Sequence, residues 1–492
     1  MVFDDISKVV TDELVSVADK KLYDTSRLPT RTADKALLTR AYIQDAVMRS
    51  SLCRYKDSVY MFDGCVYREI SMSFVEKGFN DFLYMPPYAV SADEFCRHSK
   101  AYMWTFKETL NVKVLHPSFD IRAFRNGVVD MRTFKVMPFD KKYECIYQHP
   151  YDFDMKAECP LWKNFLKQTL PDRVARQVLQ MFFGLGLLGR REDTPKVEVW
   201  LNMYGRGGNG KSTIIQVLTG IYGSINVTNT SLKQFLKSDE QGLRARFKAD
   251  GSCYITCAES GGLKLDDDSS NMLKQIISGE PVSTRGLKHN EATLYNIGYL
   301  VSSGNKPLST RDTSDGLFRR IIQLCFKRAV SEQEKDPKLY SKLMKEAPGI
   351  MAWAVRGLKN LKANGYKFPE CADSKESKIR IKADSNALAA YVDVMGIRAT
   401  PEDELEDEPI YAASNEIYNH FMLFCENNDL VCMSIQMFGR KLVSEFDMEK
   451  RFFNGANRYV LYGNPDFKKE PPKLKKIKFE TTPAIEVDEE VY

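Results

Sequence analysis

Eight consecutive residues constrain this chain more than any other stretch: Gly205-Arg206-Gly207-Gly208-Asn209-Gly210-Lys211-Ser212. They fit the phosphate-binding pattern G-x-x-x-x-G-K-[ST] at every fixed position. The chemistry requires these residue types. Glycines let backbone N–H groups turn inward around phosphate oxygens. Lys211 supplies a positive charge to the β- and γ-phosphates, and the Ser212 hydroxyl can ligate Mg²⁺. The flanks agree with this reading. Val197 to Tyr204 reads as a mostly apolar strand, and Thr213 to Leu218 as a helix whose positive end faces the anion. Residues Gly205 to Thr213 are therefore expected to hold a nucleoside triphosphate, ATP, with Mg²⁺.

Bulk properties limit the rest. A chain of 492 residues, 43% hydrophobic, has room for roughly two to four domains with cores of their own. Its formal charge of +5, from 71 basic and 66 acidic residues, permits nucleic-acid binding without requiring it. Eleven cysteines run from Cys53 to Cys432. Cys253 and Cys257 lie close together, but in an apolar run with no second pair and no histidine nearby, so free thiols in a reducing compartment are expected rather than zinc. The acidic start Met1-Val2-Phe3-Asp4-Asp5 does not resemble a signal peptide. The longest apolar run, Met181 to Leu188, is too short to span a bilayer. A cytoplasmic location with no membrane partner is the expectation.

Several organisational signals follow along the chain. Residues 1 to about 50 read as polar helix, with Lys20, Lys21, Arg27 and Arg31. Ser58 to Tyr67 reads as a hairpin turning on Asp63-Gly64, and Ala123 to Met131 as one turning on Asn126-Gly127. Cys159-Pro160 opens a helical zone in which Trp162, Phe165 and Leu166, then Val174, Val178, Met181 and Leu185, recur at helical spacing. The expected segments are 1–115 (α+β), 116–190 (hairpin and helices), 191–330 (nucleotide domain), 331–395 (helical), 396–409 (acidic linker, Pro401 to Pro409), 410–466 and 467–492. In 410–466, two helices and a terminal strand suggest a winged-helix-like module. The basic run Pro471 to Lys478 and the acidic end Asp488 to Tyr492 suggest a disordered tail able to engage partners.

The residues after the loop narrow the chemistry. Gly251 to Glu259 is an apolar strand ending on a carboxylate, and Glu259 can polarise the attacking water and help hold Mg²⁺. Tyr299 to Pro307 is another strand, with Asn305 at its end to orient that water. Leu317-Phe318-Arg319-Arg320-Ile321-Ile322 places two arginines before an apolar strand, either of which can serve as an arginine finger in a neighbouring subunit.

Gly205 to Ser212, Glu259, Asn305 and Arg319/Arg320, in this order within roughly 115 residues, resemble the superfamily-3 helicases. These are viral and plasmid replicative AAA+ ATPases. Within them the chain looks most like the phage/plasmid primase–helicase C-terminal family, which includes the poxvirus helicase-primase. Tyr60-Met61-Phe62-Asp63-Gly64 and Asn126-Gly127-Val128-Val129-Asp130 are similar to signatures of that family's pre-helicase region. Leu273 to Glu280 with Thr284-Arg285 resembles its segment between the acidic and asparagine motifs, and Asp384 and the C-terminal module also fit. The resemblance spans roughly residues 50 to 465. It implies an α/β fold: an AAA+ P-loop ATPase core, an N-terminal α+β and helical region, and a C-terminal winged-helix-like domain. It implies a homohexameric ring with Lys211, Ser212, Glu259 and Asn305 in one subunit and Arg319 or Arg320 reaching in from the next. It also implies a DNA-contacting hairpin, Pro281 to Tyr295, with Arg285 on a strand and Lys288-His289 at the tip, where papillomavirus and polyomavirus helicases carry a Lys-His pair.

Two departures qualify the match. Ala258 stands where the family usually carries a polar or acidic residue before the glutamate. Ser278-Gly279-Glu280 replaces the usual Gly-Gly-Asp. With Ala258, Mg²⁺ rests on Ser212, phosphates and water, and Glu259 mainly places the nucleophile. The reading is an ATP-driven replicative DNA helicase. One alternative is an origin-binding or loader ATPase that uses ATP as a switch. Another is a primase–helicase, whose nearest carboxylates are Asp152 and Asp154, although only about 50 residues precede the matched region.

Overall fold

A computed structural model of the chain describes residues 6–18, 32–85, 90–189, 194–258, 264–285, 291–294, 297–306, 308–310, 312, 315–328, 336–401, 408–463 and 465–474. The chain is mixed α/β and divides into two compact units, Met1–Met155 and Lys156–Tyr492. The division falls inside the stretch 116–190 that the sequence reading kept together. The acidic run 402–407 lies outside the described residues.

The first unit begins with α1 (Ile6–Val17) and α2 (Thr32–Arg49) and a meander of β1 (Cys53–Tyr55), β2 (Ser58–Phe62) and β3 (Tyr67–Ile70). Helices α3 (Met72–Tyr84) and α4 (Ala92–Asn111) follow, and then a second meander of β4 (Ile121–Phe124), β5 (Gly127–Asp130) and β6 (Lys135–Met137). Val10, Leu14, Tyr42, Phe79, Phe82 and Phe106 form its core, with the Phe79 and Phe106 rings stacked at 4.3 Å. Asp63 organises the first hairpin loop. Its carboxylate accepts from the Cys65 and Val66 amides and from Arg68 Nε, each at 2.8 Å. Burial alone would raise its pKa, but these hydrogen bonds hold it below the usual carboxylate range.

The second hairpin departs from expectation. Phe124 pairs with Gly127, so the turn is Arg125-Asn126 and Gly127 already belongs to the strand. A Cβ on Gly127 would meet the Met137 carbonyl of β6 at 2.6 Å, at a φ of +141°. Asn126 is a staple: its amide donates to the Phe153 carbonyl (3.1 Å) and accepts from the Phe153 N–H (2.9 Å). Arg125 grips Asp152 through two hydrogen bonds of 2.8 and 2.9 Å. Asp152, the nearest primase-like carboxylate in the sequence, is thus part of this staple.

The second unit opens on α5 (Pro160–Thr169) and α6 (Arg173–Leu185). Then come β7 (Trp200–Tyr204), α7 (Lys211–Tyr222), β8 (Val227–Asn229), α8 (Leu232–Phe235), α9 (Glu240–Lys248) and β9 (Tyr254–Cys257). Next are β10 (Lys264–Leu265), α10 (Asp267–Ser278), β11 (Val282–Arg285), β12 (Glu291–Leu294), β13 (Tyr299–Gly304), β14 (Ser309–Thr310), α11 (Asp315–Phe318) and β15 (Ile321–Cys325). Five of these strands form one parallel sheet in the order β15-β7-β13-β9-β8. A parallel sheet is covered on both faces, which is why β9 and β13 are buried at every position. One polar row crosses it. Ser302 Oγ donates to Asn202 Oδ1 (2.7 Å), Asn202 Nδ2 donates to Gln323 Oε1 (2.9 Å), and Trp200 Nε1 donates to Ser302 Oγ (2.7 Å).

Helices α12 (Leu339–Met344) and α13 (Ala347–Ala363) follow, and α13 crosses α6 on two glycines. A Cβ on Gly184 would stand 2.4 Å from the Ala354 carbonyl, and one on Gly357 would stand 2.0 Å from the Gln180 carbonyl. The end of α6 is tied down by two tyrosines, Tyr254 of β9 and Tyr222 at the end of α7. Tyr254 Oη accepts from the Gly186 N–H (2.7 Å) and donates to the Phe182 carbonyl, and Tyr222 Oη donates to the Phe183 carbonyl. Glu346 caps α5 by accepting from the Leu161 and Trp162 amides at 3.0 Å each. Helix propensity favours alanine over glycine by about 1 kcal/mol. At Gly357, contact with main chain outweighs that gain, since overpacking of this kind costs about 3 kcal/mol. Gly357→Ala is therefore expected to lower the Tm by about 4–8 °C in thermal denaturation. An unchanged or raised Tm would show that the two helices are not held at this separation.

Helices α14 (Ala372–Ser385) and α15 (Ala387–Val394) lead to an antiparallel sheet of β16 (Ile410–Ala413), β18 (Ala456–Leu461) and β17 (Lys450–Phe453). Helices α16 (Ser414–Asn427) and α17 (Ile435–Ser444) lie between these strands in sequence. Leu388 and Tyr391 of α15 share the core of this module with Phe421, Phe424 and Tyr459. Residues 467–474, expected to begin a disordered tail, instead pack on it. Phe467 and Leu474 meet its core, His420 Nε2 lies 3.0 Å from the Lys469 carbonyl, and Asn428 Oδ1 accepts from the Leu474 N–H at 2.6 Å. Residues 475–492 lie outside the described residues. Among the described residues no helix is long and apolar enough to cross a membrane.

Candidate phosphate-binding cleft

The loop between β7 and α7 is set by three glycines with distinct tasks. A Cβ on Gly205 would lie 2.4 Å from both Asn209 Nδ2 and the Phe326 carbonyl. Gly208 and Gly210 have φ of +73° and +86°, which side-chain-bearing residues rarely adopt. Gly210 caps α7, and Phe165 from α5 lies so close that a Cβ there would be 2.9 Å from Phe165 Cζ. Gly207 by contrast faces open space, with nothing within 4 Å of an added Cβ.

Asn209 is the buried strut of the loop. Its Nδ2 donates to the Phe326 carbonyl (3.0 Å), and its Oδ1 accepts from Lys211 Nζ (2.7 Å). Lys211 Nζ also donates to the carbonyls of Gly205 (2.7 Å) and Arg206 (3.0 Å). The ammonium is thus folded onto its own loop and only 6% exposed. Burial pushes its pKa down to about 8. The Ser212 side chain faces the cleft and is exposed.

The cleft has a volume of about 850 Å³. Its walls come from segments far apart in sequence. The carboxyl ends of β9 and β13 contribute Ala258 and Ser303, Gly304, Asn305 and Lys306. Helix α7 adds Gln216, α5 adds Phe165, and Asp336, Pro337, Leu339 and Tyr340 close the far side. The position fits the general rule that open parallel sheets take ligands beyond the carboxyl ends of their strands. Asp336 is held by Lys342 at 2.6 Å, and among the described residues Lys211 and Lys306 are the cations lining the cavity. Sequence reasoning missed Phe165, Lys306 and the Asp336–Tyr340 wall. Phe165 sits on a helical apolar face, and nothing in its spacing marks the edge of a cavity.

The remaining expected site residues are distributed unevenly. Glu259, Lys288 and His289 lie outside the described residues. Arg320 is engaged within its own chain: Nη2 lies 2.7 Å from Glu198 Oε2, and Nη1 donates to the Gly316 carbonyl. Burial alone would raise the Glu198 pKa, but Lys196 and Arg320 bring it below the usual carboxylate range. Arg319, one residue earlier, is exposed and pairs with no described acidic residue. Neither arginine lines the cleft.

Arg285 ends β11, which pairs with β12 in an antiparallel hairpin, Arg285 opposite Glu291. Arg246, 1% exposed, anchors that hairpin. Its guanidinium donates to the carbonyls of Ser283 (2.9 Å), Phe235 (2.8 Å) and Lys237 (2.7 Å). Three main-chain acceptors thus offset its desolvation. Thr284 adds a hydrogen bond of 2.9 Å to the Leu243 carbonyl. Among the described residues no group of three or more His, Cys, Asp or Glu side chains is placed to hold a metal ion.

Comparison with known proteins agrees in part with the sequence resemblance. Residues 59–171 match the family model described as "D5 N terminal like". Residues 203–320 match one described as a "Family of unknown function (DUF5906)". The chain is also similar to the solved structure "The A form apo structure of NrS-1 C terminal region-CTR". That similarity has 10% identity and a TM-score of 0.49 over 86% of this chain and 98% of that one. "The apo structure of NrS-1 C terminal region (305-718)" gives 11% identity and a TM-score of 0.48 over 86% and 99%. The first family match runs from β2 through α5, and the second from the end of β7 to Arg320, taking in the loop, Asn305 and both arginines.

Proposed function

We propose that this chain is a nucleoside triphosphatase of the superfamily-3 helicase type, hydrolysing ATP with Mg²⁺ to move along DNA as a homohexameric ring. One observation carries the reading. Three strands of one parallel sheet end at one cleft and bring Lys211 and Ser212, Ala258 and Asn305 to its walls. The D5 N terminal like match supports it, because it covers Tyr60–Gly64 and Asn126–Asp130, where the resemblance upstream of the loop rests.

In this reading the phosphates enter over Gly207, where the loop leaves open space. Lys211 exchanges its three internal acceptors for phosphate oxygens, and the free N–H groups at the start of α7 face the same anion. The Ser212 hydroxyl is the described residue suited to Mg²⁺, which would neutralise charge building on the transferred phosphoryl group. Glu259, next in sequence to Ala258, polarises the attacking water, and Asn305 orients it. Arg319 is the finger offered to the neighbouring subunit, because Arg320 is already committed to Glu198. The β11–β12 hairpin, held by Arg246, presents Arg285, Lys288 and His289 to DNA in the channel, where sequence-independent phosphate contacts suit a translocase. The C-terminal sheet and helices form the winged-helix-like domain.

The test uses purified full-length protein, labelled ATP and a forked duplex. Expected are ATP hydrolysis stimulated by single-stranded DNA and separation of the fork. Absence of hydrolysis with and without DNA would overturn the reading. Hydrolysis with no strand separation would reduce it to an ATP-driven switch or loader.

A further inference from the structure

The C-terminal module carries a surface that the cleft does not use. Strand β17 is exposed along its whole length. Its register with β18 sets Lys450 opposite Tyr459 and Phe452 opposite Asn457, so Lys450 and Phe452 share one face. That face turns toward α17, because Lys450 and Tyr459 line a groove with Ile435, Gln436 and Arg440 of that helix. The groove has a volume of about 470 Å³, and among the described residues its lining holds the cations Arg440 and Lys450 and no carboxylate. The Lys450 ammonium sits 4.5 Å above the Tyr459 ring. Nearby acids are paired away from it: Glu449 with Arg451 on the other face at 3.0 Å, and Glu445 with Lys441 at 2.5 Å.

Phe452 stands at the outer end of this face, 75% exposed. Its neighbour Phe453 is stacked on Tyr411 of β16, with centroids 4.0 Å apart and planes at 9°. Asn454 and Gly455, at φ of +47° and +79°, close a two-residue turn of the type that matches strand twist. The hairpin is therefore a stiff support for a bare aromatic ring. An apolar ring beside cations, with no carboxylate among the described lining residues of the groove, is complementary to a phosphate backbone that exposes base faces. A duplex offers the phosphates but keeps its base faces stacked, so the ring selects a single strand.

We propose that the α17 groove and the β17–β18 hairpin form a second nucleic-acid site. It binds single-stranded nucleic acid, with Arg440 and Lys450 on phosphates and Phe452 stacked on a base. The site is separate from the cleft and does not depend on nucleotide hydrolysis.

The test is fluorescence anisotropy of a labelled oligothymidine with the full chain, without nucleotide. Phe452→Ala is expected to weaken binding about tenfold. Arg440→Ala/Lys450→Ala is expected to flatten the slope of log K against log salt by about 1.4, the loss of two single-strand phosphate contacts. Both variants should keep the wild-type Tm and DNA-free ATPase rate, since the altered side chains are exposed. Ultraviolet crosslinking of an iodouridine-substituted strand should label the tryptic peptide Phe452–Arg458. Lys211→Ala should bind the oligonucleotide with wild-type affinity, so that failure of the ATPase reading leaves this site standing. Unchanged affinity and salt slope in both groove variants, or crosslinks confined to the β11–β12 hairpin, would overturn the proposal. Equal weakening by Phe452→Ala on a blunt duplex would overturn the stacking assignment.

Discussion

Replacing Arg319 by alanine is expected to lower ATP hydrolysis by about a thousandfold or more, the usual worth of an arginine finger, while leaving the Tm unchanged. Arg320→Ala should behave in the opposite way. It removes the guanidinium that lies 2.7 Å from Glu198 and hydrogen-bonds the Gly316 carbonyl. Among the described residues, Glu198 then keeps Lys196, at 3.1 Å, as its ionic partner. That change should cost on the order of 1–3 kcal/mol of stability, with hydrolysis per folded molecule largely retained. The contrast follows from exposure and prior commitment, because an arginine already paired in its own chain must break that pairing to reach a neighbour. Mixing supplies the decisive measurement. In a 1:1 mixture of the two inactive variants Arg319→Ala and Lys211→Ala, about a quarter of subunit interfaces would combine an intact lysine with an intact arginine, as head-to-tail contacts require. Hydrolysis should recover to that order. No recovery on mixing, or loss of activity in folded Arg320→Ala with full activity in Arg319→Ala, would reverse the assignment.

Lys211→Ala is expected to lower kcat/KM for ATP hydrolysis by at least about a thousandfold, some 4 kcal/mol of transition-state stabilisation. The fold should survive. It vacates the Gly205 and Arg206 carbonyls and Asn209 Oδ1, and Asn209 and Lys211 themselves line the open cleft, from which water can replace the ammonium. Asn209 keeps its hold on Phe326. Before nucleotide arrives, burial sets the Lys211 pKa at about 8. A bound triphosphate favours the charged form and raises that value. Above pH 8 binding must therefore take up a proton, so affinity should fall as pH rises, by up to tenfold per unit. Below pH 8 the lysine is already charged and contributes no slope. Titration calorimetry between pH 7 and 9.5, in buffers of differing ionisation enthalpy, would detect the proton. Affinity that stays flat across this range would show that the ammonium is not what meets the phosphates.

What the sequence made legible depends on how local each constraint is. The loop and its flanks were readable because glycine conformation and lysine spacing act within eight residues. Even so, the strand begins at Trp200 rather than Val197, and the helix begins at Lys211, where left-handed Gly210 ends the turn. The second hairpin was legible, but its turn slipped by one residue, because Gly127 is needed for the close approach of Met137 rather than for the turn. Non-local partners were invisible. Phe165 meets the loop from 45 residues upstream of Gly210, and the Asp336–Tyr340 wall arrives from beyond Pro307. A single sequence could not separate Arg319 from Arg320, because what separates them is Glu198, more than a hundred residues earlier. Residues 467–474 read as tail because lysine and proline dominate them, yet two apolar side chains, Phe467 and Leu474, suffice to dock them.

The polar row across the parallel sheet acts as a gauge for the cleft. Gln323, Asn202 and Ser302 stand at matched heights on three neighbouring strands, and only this alignment lets each find its partner. Sliding β13 by a single residue would shift its end by about 3.3 Å and strand buried amides without acceptors. Three residues beyond the row, β7 delivers Gly205 and β13 delivers Asn305. The spacing between the anion loop and the residue proposed to aim the water is therefore measured out inside the core. An Asn202→Leu protein that still folded would have lost its ruler.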